Sequence, residues 1–289
     1  MITQKISLGM VNYNSHPDLL RLSIKSAFAY TLNLEELIVV DNGSTNGNID
    51  LLYELAKEFK KIRIIRRQQK GLGASIGKGE GCNVLIKEFK TEYAAFYEND
   101  GFLVEKGWDK MLIRRLIERD LDMIGNDYPL VEAQNRVISE AFTTFSVFKV
   151  SVLQNMDINF LPDGQGPSFL SGFDTGCQLA KHFSDERAEC LVFKSGRRNE
   201  TKYFRWPGFA EYYFEEKFIF AHFGRGSGHS IKLSSNFFGK LIGLAKHFHG
   251  FLFKSRKSTI GGNAFSYFES RNKLENWVKA SNRLLKRKI

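Results

Sequence analysis

The sequence predicts an α/β fold: a mostly parallel sheet flanked by helices, with a helical extension at its C-terminal end. Three observations predict it. Short apolar runs alternate with stretches of helical periodicity through the first 120 residues. One of these runs, Leu37-Ile38-Val39-Val40, lacks polar alternation, as expected of a parallel strand buried on both faces. The segment 231–289 differs from the rest in charge and reads as helical.

The elements follow in order. Ile6–Val11 is an apolar run that ends in Asn12-Tyr13-Asn14. Behind Pro17-Asp18, the residues Leu19, Leu20, Ile24 and Phe28 recur at helical spacing, with proline where a first helical turn tolerates it. The Leu37–Val40 strand stops at Asp41-Asn42-Gly43-Ser44-Thr45, a turn-rich sequence. A helix over about Ile49–Phe59 leads to a strand at Ile62–Ile65. Residues 70–83, KGLGASIGKGEGCN, hold five glycines and read as a loop. A helix through Val84, Leu85 and Phe89 then feeds the strand Tyr93–Tyr97, which ends in Glu98-Asn99-Asp100. After Gly107, an amphipathic helix carries Trp108, Met111, Leu112 and Leu116. This βαβαβ alternation implies a helix-covered parallel sheet. Further strands are expected at Met123–Gly125, Phe142–Phe148 and Phe218–Ala221, and a last helix at Phe268–Leu285.

Composition excludes several classes. With 43% hydrophobic residues and 26 phenylalanines, the chain can bury a large core. Its three cysteines, Cys82, Cys177 and Cys190, are widely spaced and form no CxxC pair, so neither a zinc site nor a disulfide framework is expected. No signal peptide or apolar run of membrane-spanning length is visible, and a cytoplasmic location is expected. Net charge is +10, but residues 1–230 carry 29 Lys and Arg against 30 Asp and Glu, whereas residues 231–289 carry 13 against two. A nucleic-acid enzyme would spread basic charge over its binding face, so no nucleic-acid partner is expected. Gly77-Lys78 is not a Walker A loop, because Leu72 and Gly79 stand where that motif requires glycine and Ser or Thr.

In open parallel sheets, ligands bind beyond the carboxyl ends of the strands. Three strands here end in polar clusters, at Asn12-Tyr13-Asn14, Asp41-Asn42 and Glu98-Asn99-Asp100, and they would converge at one sheet edge. These clusters, taken in order with the glycine-rich stretch between the last two and Trp108 after them, resemble the family 2 glycosyltransferases, whose fold is of the GT-A type. The resemblance covers roughly residues 5–120 and thins to isolated motifs up to about 230.

That resemblance implies a GT-A catalytic domain over 1–230, with a nucleotide-binding half (1–120) and an acceptor half (121–230). Asp41 would hydrogen-bond the nucleotide base, a role a carboxylate suits when the base is uracil or thymine with its imide N–H, while Asn12, Tyr13, Asn14 and Asn99 would line the pocket. A turn cap is the plainer role for Asp41. Gly71 and Gly73 would let the backbone pass close to the sugar nucleotide. Glu98-Asn99-Asp100 stands in the place of the family's DxD motif, so Asp100, with Glu98 and His222, would hold Mg²⁺ or Mn²⁺ against the donor diphosphate. Glu98 stands where the family usually has Asp. Arg225, in His222-Phe223-Gly224-Arg225, would contact phosphate oxygens. Asp174 would deprotonate the acceptor hydroxyl in an inverting transfer, with Asp163 as its rival.

The implied partners are a UDP- or dTDP-sugar and a glycan or lipid-linked acceptor, as in the synthesis of a lipopolysaccharide or capsule. For the tail, Phe237–Phe253 and the helix after it form apolar stripes flanked by lysines. Two readings stand: a peripheral contact with the anionic inner face of the cell membrane, or packing on the catalytic body. The rival functions are a nucleotidyltransferase making sugar nucleotides, against which the absence of a glycine- and arginine-rich loop after the first strand speaks, and a non-catalytic basic binding protein.

Overall fold

A computed structural model describes residues 4–45, 47–68, 74–126, 131–132, 137–138, 143–156, 158–162, 175–176, 179, 187–195, 199–205, 209–224 and 262–287. The chain runs β1 (Ile6–Asn12), α1 (Pro17–Tyr30), β2 (Leu34–Asp41), α2 (Asn48–Glu58), β3 (Ile62–Arg66), α3 (Ala74–Glu88), β4 (Tyr93–Tyr97), β5 (Gly101–Leu103), α4 (Trp108–Glu118) and β6 (Met123–Asn126). There follow β7 (Val131–Glu132), β8 (Val137–Ile138), β9 (Phe145–Lys149), α5 (Val150–Asn155), β10 (Ala188–Ser195), β11 (Ala210–Phe214), β12 (Lys217–His222) and a terminal helix, α6 (Gly262–Arg287).

Ten strands form one sheet in the order β3-β2-β1-β4-β9-β6-β10-β11-β12-β5, and β7 pairs separately with β8. The first four strands are parallel, as expected from their βαβ spacing. The other half is mixed: β9 runs antiparallel between β4 and β6, and β10-β11-β12-β5 is an antiparallel ribbon. Only Glu98-Asn99-Asp100 separates β4 from β5, yet β5 lies at the far end of the ladder. The ribbon must therefore curl back until β12 and β5 stand beside the carboxyl end of β4.

Alternation along the central strands explains the unbroken apolar runs. Leu37, Val39, Ala95 and Tyr97 join the core cluster that also contains residues of α1, α2, α4 and α6, while Ile38, Val40, Ala94 and Phe96 join the one that also contains residues of α3 and α5. Both faces are covered, so both parities must be apolar.

The expectation of a loop through the glycine stretch is corrected from residue 74 onward, where α3 begins. Glycine inside a helix costs up to about 1 kcal/mol each relative to alanine, so close packing must compensate. A Cβ at Gly81 would lie 2.6 Å from a Val11 methyl, and one at Gly79 2.6 Å from the Phe160 carbonyl oxygen. Gly79 and Gly81 thus bring α3 onto β1 and the 158–162 segment. Gly71 and Gly73 lie outside the described residues.

In the tail, residues 225–261 lie outside the described residues, so the stripe expected over Phe237–Phe253 does too. The last helix is present and packs on the body. Trp277 is fully buried against Phe204, Phe209 and Phe223, with ring centroids 4.3, 5.0 and 5.6 Å away. The Tyr30 hydroxyl donates to the Leu284 carbonyl at 3.1 Å, and Lys273 Nζ to that of Gly224 at 2.8 Å. Leu274, Trp277, Val278, Leu284 and Leu285 of α6 are thus spent on the core, and Lys279, Arg283 and Lys286 point outward. No helix among the described residues is long and apolar enough to cross a membrane.

Candidate functional site

The carboxyl ends of β1, β2 and β4 meet as expected. Asn12 and Asp41 are register partners at the ends of β1 and β2. The Asn12 amide donates to Asp41 Oδ1 at 2.8 Å and to Ser44 Oγ at 3.2 Å, and Asn12 Oδ1 accepts from Asn99 Nδ2 at 3.4 Å. Asn99 also donates to Ser15 Oγ at 2.6 Å and to the Val11 carbonyl at 3.1 Å. One buried amide therefore ties the Asp41 strand end to the β4–β5 turn. Since neighbouring strands lie about 4.8 Å apart, the backbones at 41 and 100 flank β1 at roughly 10 Å.

Asp41 does cap its turn. Its Oδ1 accepts from Ser44 Oγ at 2.6 Å and its Oδ2 from Ser44 N at 3.0 Å, and the side chain is buried. Asn12 is equally buried and acts as a brace between strand ends. Asn14, at φ 46°, accepts from Thr45 N at 2.8 Å, which locks the β1 loop to the β2 loop. Tyr13 is 40% exposed, so its ring is available to a planar partner.

Two residues at this edge escaped the sequence reading. Arg67, just past β3, donates to Asn42 Oδ1 at 2.7 Å and to Glu80 Oε2 at 2.6 Å. Applying the strand-end rule to the fourth parallel strand as well as the other three would have found it. Lys78, on α3, pairs with Glu98 Oε1. Reading residues 70–83 as a loop concealed it, because only a helix places its side chain there.

Beside this lies a compact charged cluster. Ligand atoms of Glu98, Asp100 and His222 fall within 4.8 Å of one another. His222 Nε2 is 2.7 Å from Glu98 Oε2 and 3.2 Å from Asp100 Oδ1. The curl of the ribbon makes this possible: His222 ends β12 opposite Gly101 of β5. Three hydrogen bonds fix the turn, from Ser23 Oγ and Gly101 N to the Glu98 carbonyl, both 3.0 Å, and from Phe223 N to the Asp100 carbonyl, 3.1 Å. Burial alone would raise the Glu98 carboxyl, but Lys78 and His222 hold it well below the usual carboxylate range. Burial would likewise lower His222, yet the Asp100 and Glu98 carboxylates push it well above its ordinary value.

Two carboxylates and an imidazole, largely buried and convergent, are a donor set that fits a divalent cation, and the oxygens suit Mg²⁺ or Mn²⁺. Glu98, in the position where the family has Asp, is part of it. Asp174, Asp163 and Arg225 lie outside the described residues. Thr175, next in sequence to Asp174, donates its hydroxyl to the Ser75 carbonyl in the first turn of α3 at 2.8 Å.

Gly101 is required at the turn. A Cβ there would lie 2.4 and 2.6 Å from ring carbons of Phe220, which is fully buried and stacked on Phe145 at 4.8 Å. Gly101→Val is expected to lower stability by about 1–3 kcal/mol through overpacking, read as a reduced urea midpoint at unchanged slope. A midpoint equal to wild type would show that the turn relaxes freely.

Comparison with known proteins adds the following. The sequence profile of glycosyl transferase family 2 matches residues 7–158. EpsH of Bacillus subtilis, which carries a glycosyltransferase name, is 29% identical over 121 residues, 42% of this chain and 33% of its own length. The cholesterol galactosyltransferase of Borreliella burgdorferi is 30% identical over 96 residues, 33% of this chain and 25% of that protein. The poly(ribitol-phosphate) beta-glucosyltransferase of Bacillus spizizenii is 33% identical over 101 residues, 34% of this chain and 15% of that protein. The matches thus span a third or less of these curated relatives. A mannosyltransferase from Pyrobaculum calidifontis, solved in complex with GDP-Man and Mn²⁺, aligns at 11% identity and a TM-score of 0.49, over 97% of this chain and 74% of that one.

Proposed function

This chain belongs to glycosyl transferase family 2, and from that premise we propose that it moves a sugar from a UDP- or dTDP-sugar to a hydroxyl of a cell-surface glycan or lipid-linked saccharide, using Mg²⁺ or Mn²⁺. One observation carries the reading: Glu98, Asp100 and His222 converge within 4.8 Å at the sheet edge where Asn12 braces Asp41. A bound cation would neutralise the charge that develops on the departing nucleoside diphosphate.

The chain's own residues supply the rest. A carboxylate offers about four acceptor positions, and hydrogen bonds from the described residues use three of those on Asp41; the fourth is the one we assign to a base imide N–H, which requires the loops over this buried side chain to part. Tyr13 offers a ring face to the base, and Asn99 holds the β1 and β4 ends together. Asp174 is the residue we assign as the base that takes the acceptor proton. Two relatives are named for acceptors that carry hydroxyl groups, a ribitol phosphate polymer and a sterol, which supports an alcohol nucleophile.

The test is turnover of UDP- and dTDP-sugars, by hydrolysis or transfer, before and after EDTA. Activity should vanish with chelation and return with Mn²⁺ or Mg²⁺. Full turnover in EDTA would overturn the metal-assisted reading, and the same activity in a Glu98→Ala, Asp100→Ala, His222→Ala triple variant would remove this cluster from the reaction.

A further inference from the structure

We infer that Lys78 competes with the divalent cation for Glu98 and, once displaced, pairs with the donor diphosphate, so that it couples the binding of cation and donor. The inference rests on the cation and donor reading above and deepens it.

Both oxygens of Glu98 face cationic side chains: Oε1 faces the Lys78 ammonium and Oε2 the His222 imidazole at 2.7 Å. The Lys78 and Glu98 side chains are only 24% and 16% exposed, so this pair is mostly withdrawn from water and unlike the loose pairs of an open surface. A divalent cation sits about 2.0–2.6 Å from its oxygen ligands. Placed on Glu98, it would stand a few ångströms from the ammonium, and the two would repel. One must yield.

The helix cannot yield. α3 is pressed against Val11 and the Phe160 carbonyl at Gly81 and Gly79, where not even a methyl group fits. The lysine stem can, because its four carbons rotate and carry a point charge that needs no fixed fork. Asp100 Oδ1 lies 3.2 Å from the same His222 Nε2 that meets Glu98 Oε2, so a diphosphate drawn to a cation held there brings anionic oxygens next to Glu98 and within reach of the displaced ammonium. Cation without donor leaves Lys78 unpaired from Glu98; donor without cation finds Lys78 engaged. Each ligand removes the cost of the other, and such coupling is reciprocal.

The test uses the full chain, wild type and Lys78→Met. Mn²⁺ alone is titrated by the loss of its free-ion paramagnetic resonance signal. Whichever of UDP, dTDP and GDP the wild type binds most tightly is then titrated calorimetrically, with and without saturating Mn²⁺. Lys78→Met should bind Mn²⁺ alone roughly tenfold more tightly and the nucleotide with Mn²⁺ roughly tenfold more weakly, within the usual range of such couplings. The factor by which Mn²⁺ tightens the nucleotide should shrink accordingly. If the methionine variant does not fold, Lys78→Gln gives the same comparison, since it keeps a hydrogen-bond donor and loses the charge. Mn²⁺ binding no tighter than wild type, or nucleotide binding no weaker, overturns the inference while leaving the cation site standing. A wild type that takes up no Mn²⁺ at all removes both.

Discussion

Replacing Asp100 by alanine is expected to lower the proposed Mn²⁺-supported turnover by roughly a thousandfold, the upper range for losing one preorganised electrostatic group at a reacting centre. The geometry explains why this position should outweigh Glu98. Asp100 is almost wholly buried, beside His222 at 3.2 Å, whereas an oxygen of Glu98 is already engaged by Lys78. A cation held in a buried site depends on every charge around it, and without Asp100 only one carboxylate remains in the cluster. The fold should survive. The turn is held through the Asp100 backbone carbonyl, which accepts from Phe223 N and which alanine retains. Asp100→Asn provides the control for shape, since it keeps the volume and loses the charge; it should be nearly as inactive. Steady-state turnover in saturating Mn²⁺, set beside thermal unfolding of the same preparations, separates the two effects. Activity within tenfold of wild type in a folded Asp100→Ala would mean that the cation, if needed, is held elsewhere.

Much of this site was visible in the sequence because it sits where parallel strands stop. A buried strand has no use for acids or amides, so Asn12, Asp41 and Glu98-Asn99-Asp100 mark the point at which burial ends, and a parallel ladder brings those points together. The family match and the mixed sheet with its flanking helices agree with the GT-A architecture that these clusters implied. What stayed hidden depended on contacts between distant segments. β5 is three residues long and exists because β12 curls back to pair with it. β11 contains Glu211, which reads as a surface residue, yet its buried carboxylate accepts the backbone amides of Lys202, Tyr203 and Phe204. The helical state of residues 74–83 could not be read from five glycines, because the compensating contacts with Val11 and Phe160 are tertiary. Lys78 was lost with that helix. His222 was found, though its meeting with Glu98 could be inferred only from the flanking glycines and arginine.

The terminal helix is anchored to the body chiefly by one side chain, and Trp277→Ala is expected to cost about 3–5 kcal/mol. Trp277 is fully buried against three phenylalanine rings, Phe204, Phe209 and Phe223, and Phe204 and Phe209 also contact each other at 6.2 Å. Among the described residues the surrounding rings are braced against collapse into the space it would leave, since Phe209 and Phe223 are held at 5.4 Å and carry Lys273 over their faces. Against a typical total of 5–15 kcal/mol, such a loss consumes a large part of the margin. Urea unfolding reads it as a fall in midpoint. Trp277→Phe should recover much of the loss, because among the described residues the indole N–H has no hydrogen-bond partner to forfeit. The effect should also reach the chemistry. Phe223, which packs on Trp277, donates its backbone N–H to the Asp100 carbonyl and follows His222 directly. Loosening that ring should therefore weaken Mn²⁺ binding in protein that remains folded. A Trp277→Ala variant that unfolds at the wild-type midpoint would show that α6 rests on the body without supporting it.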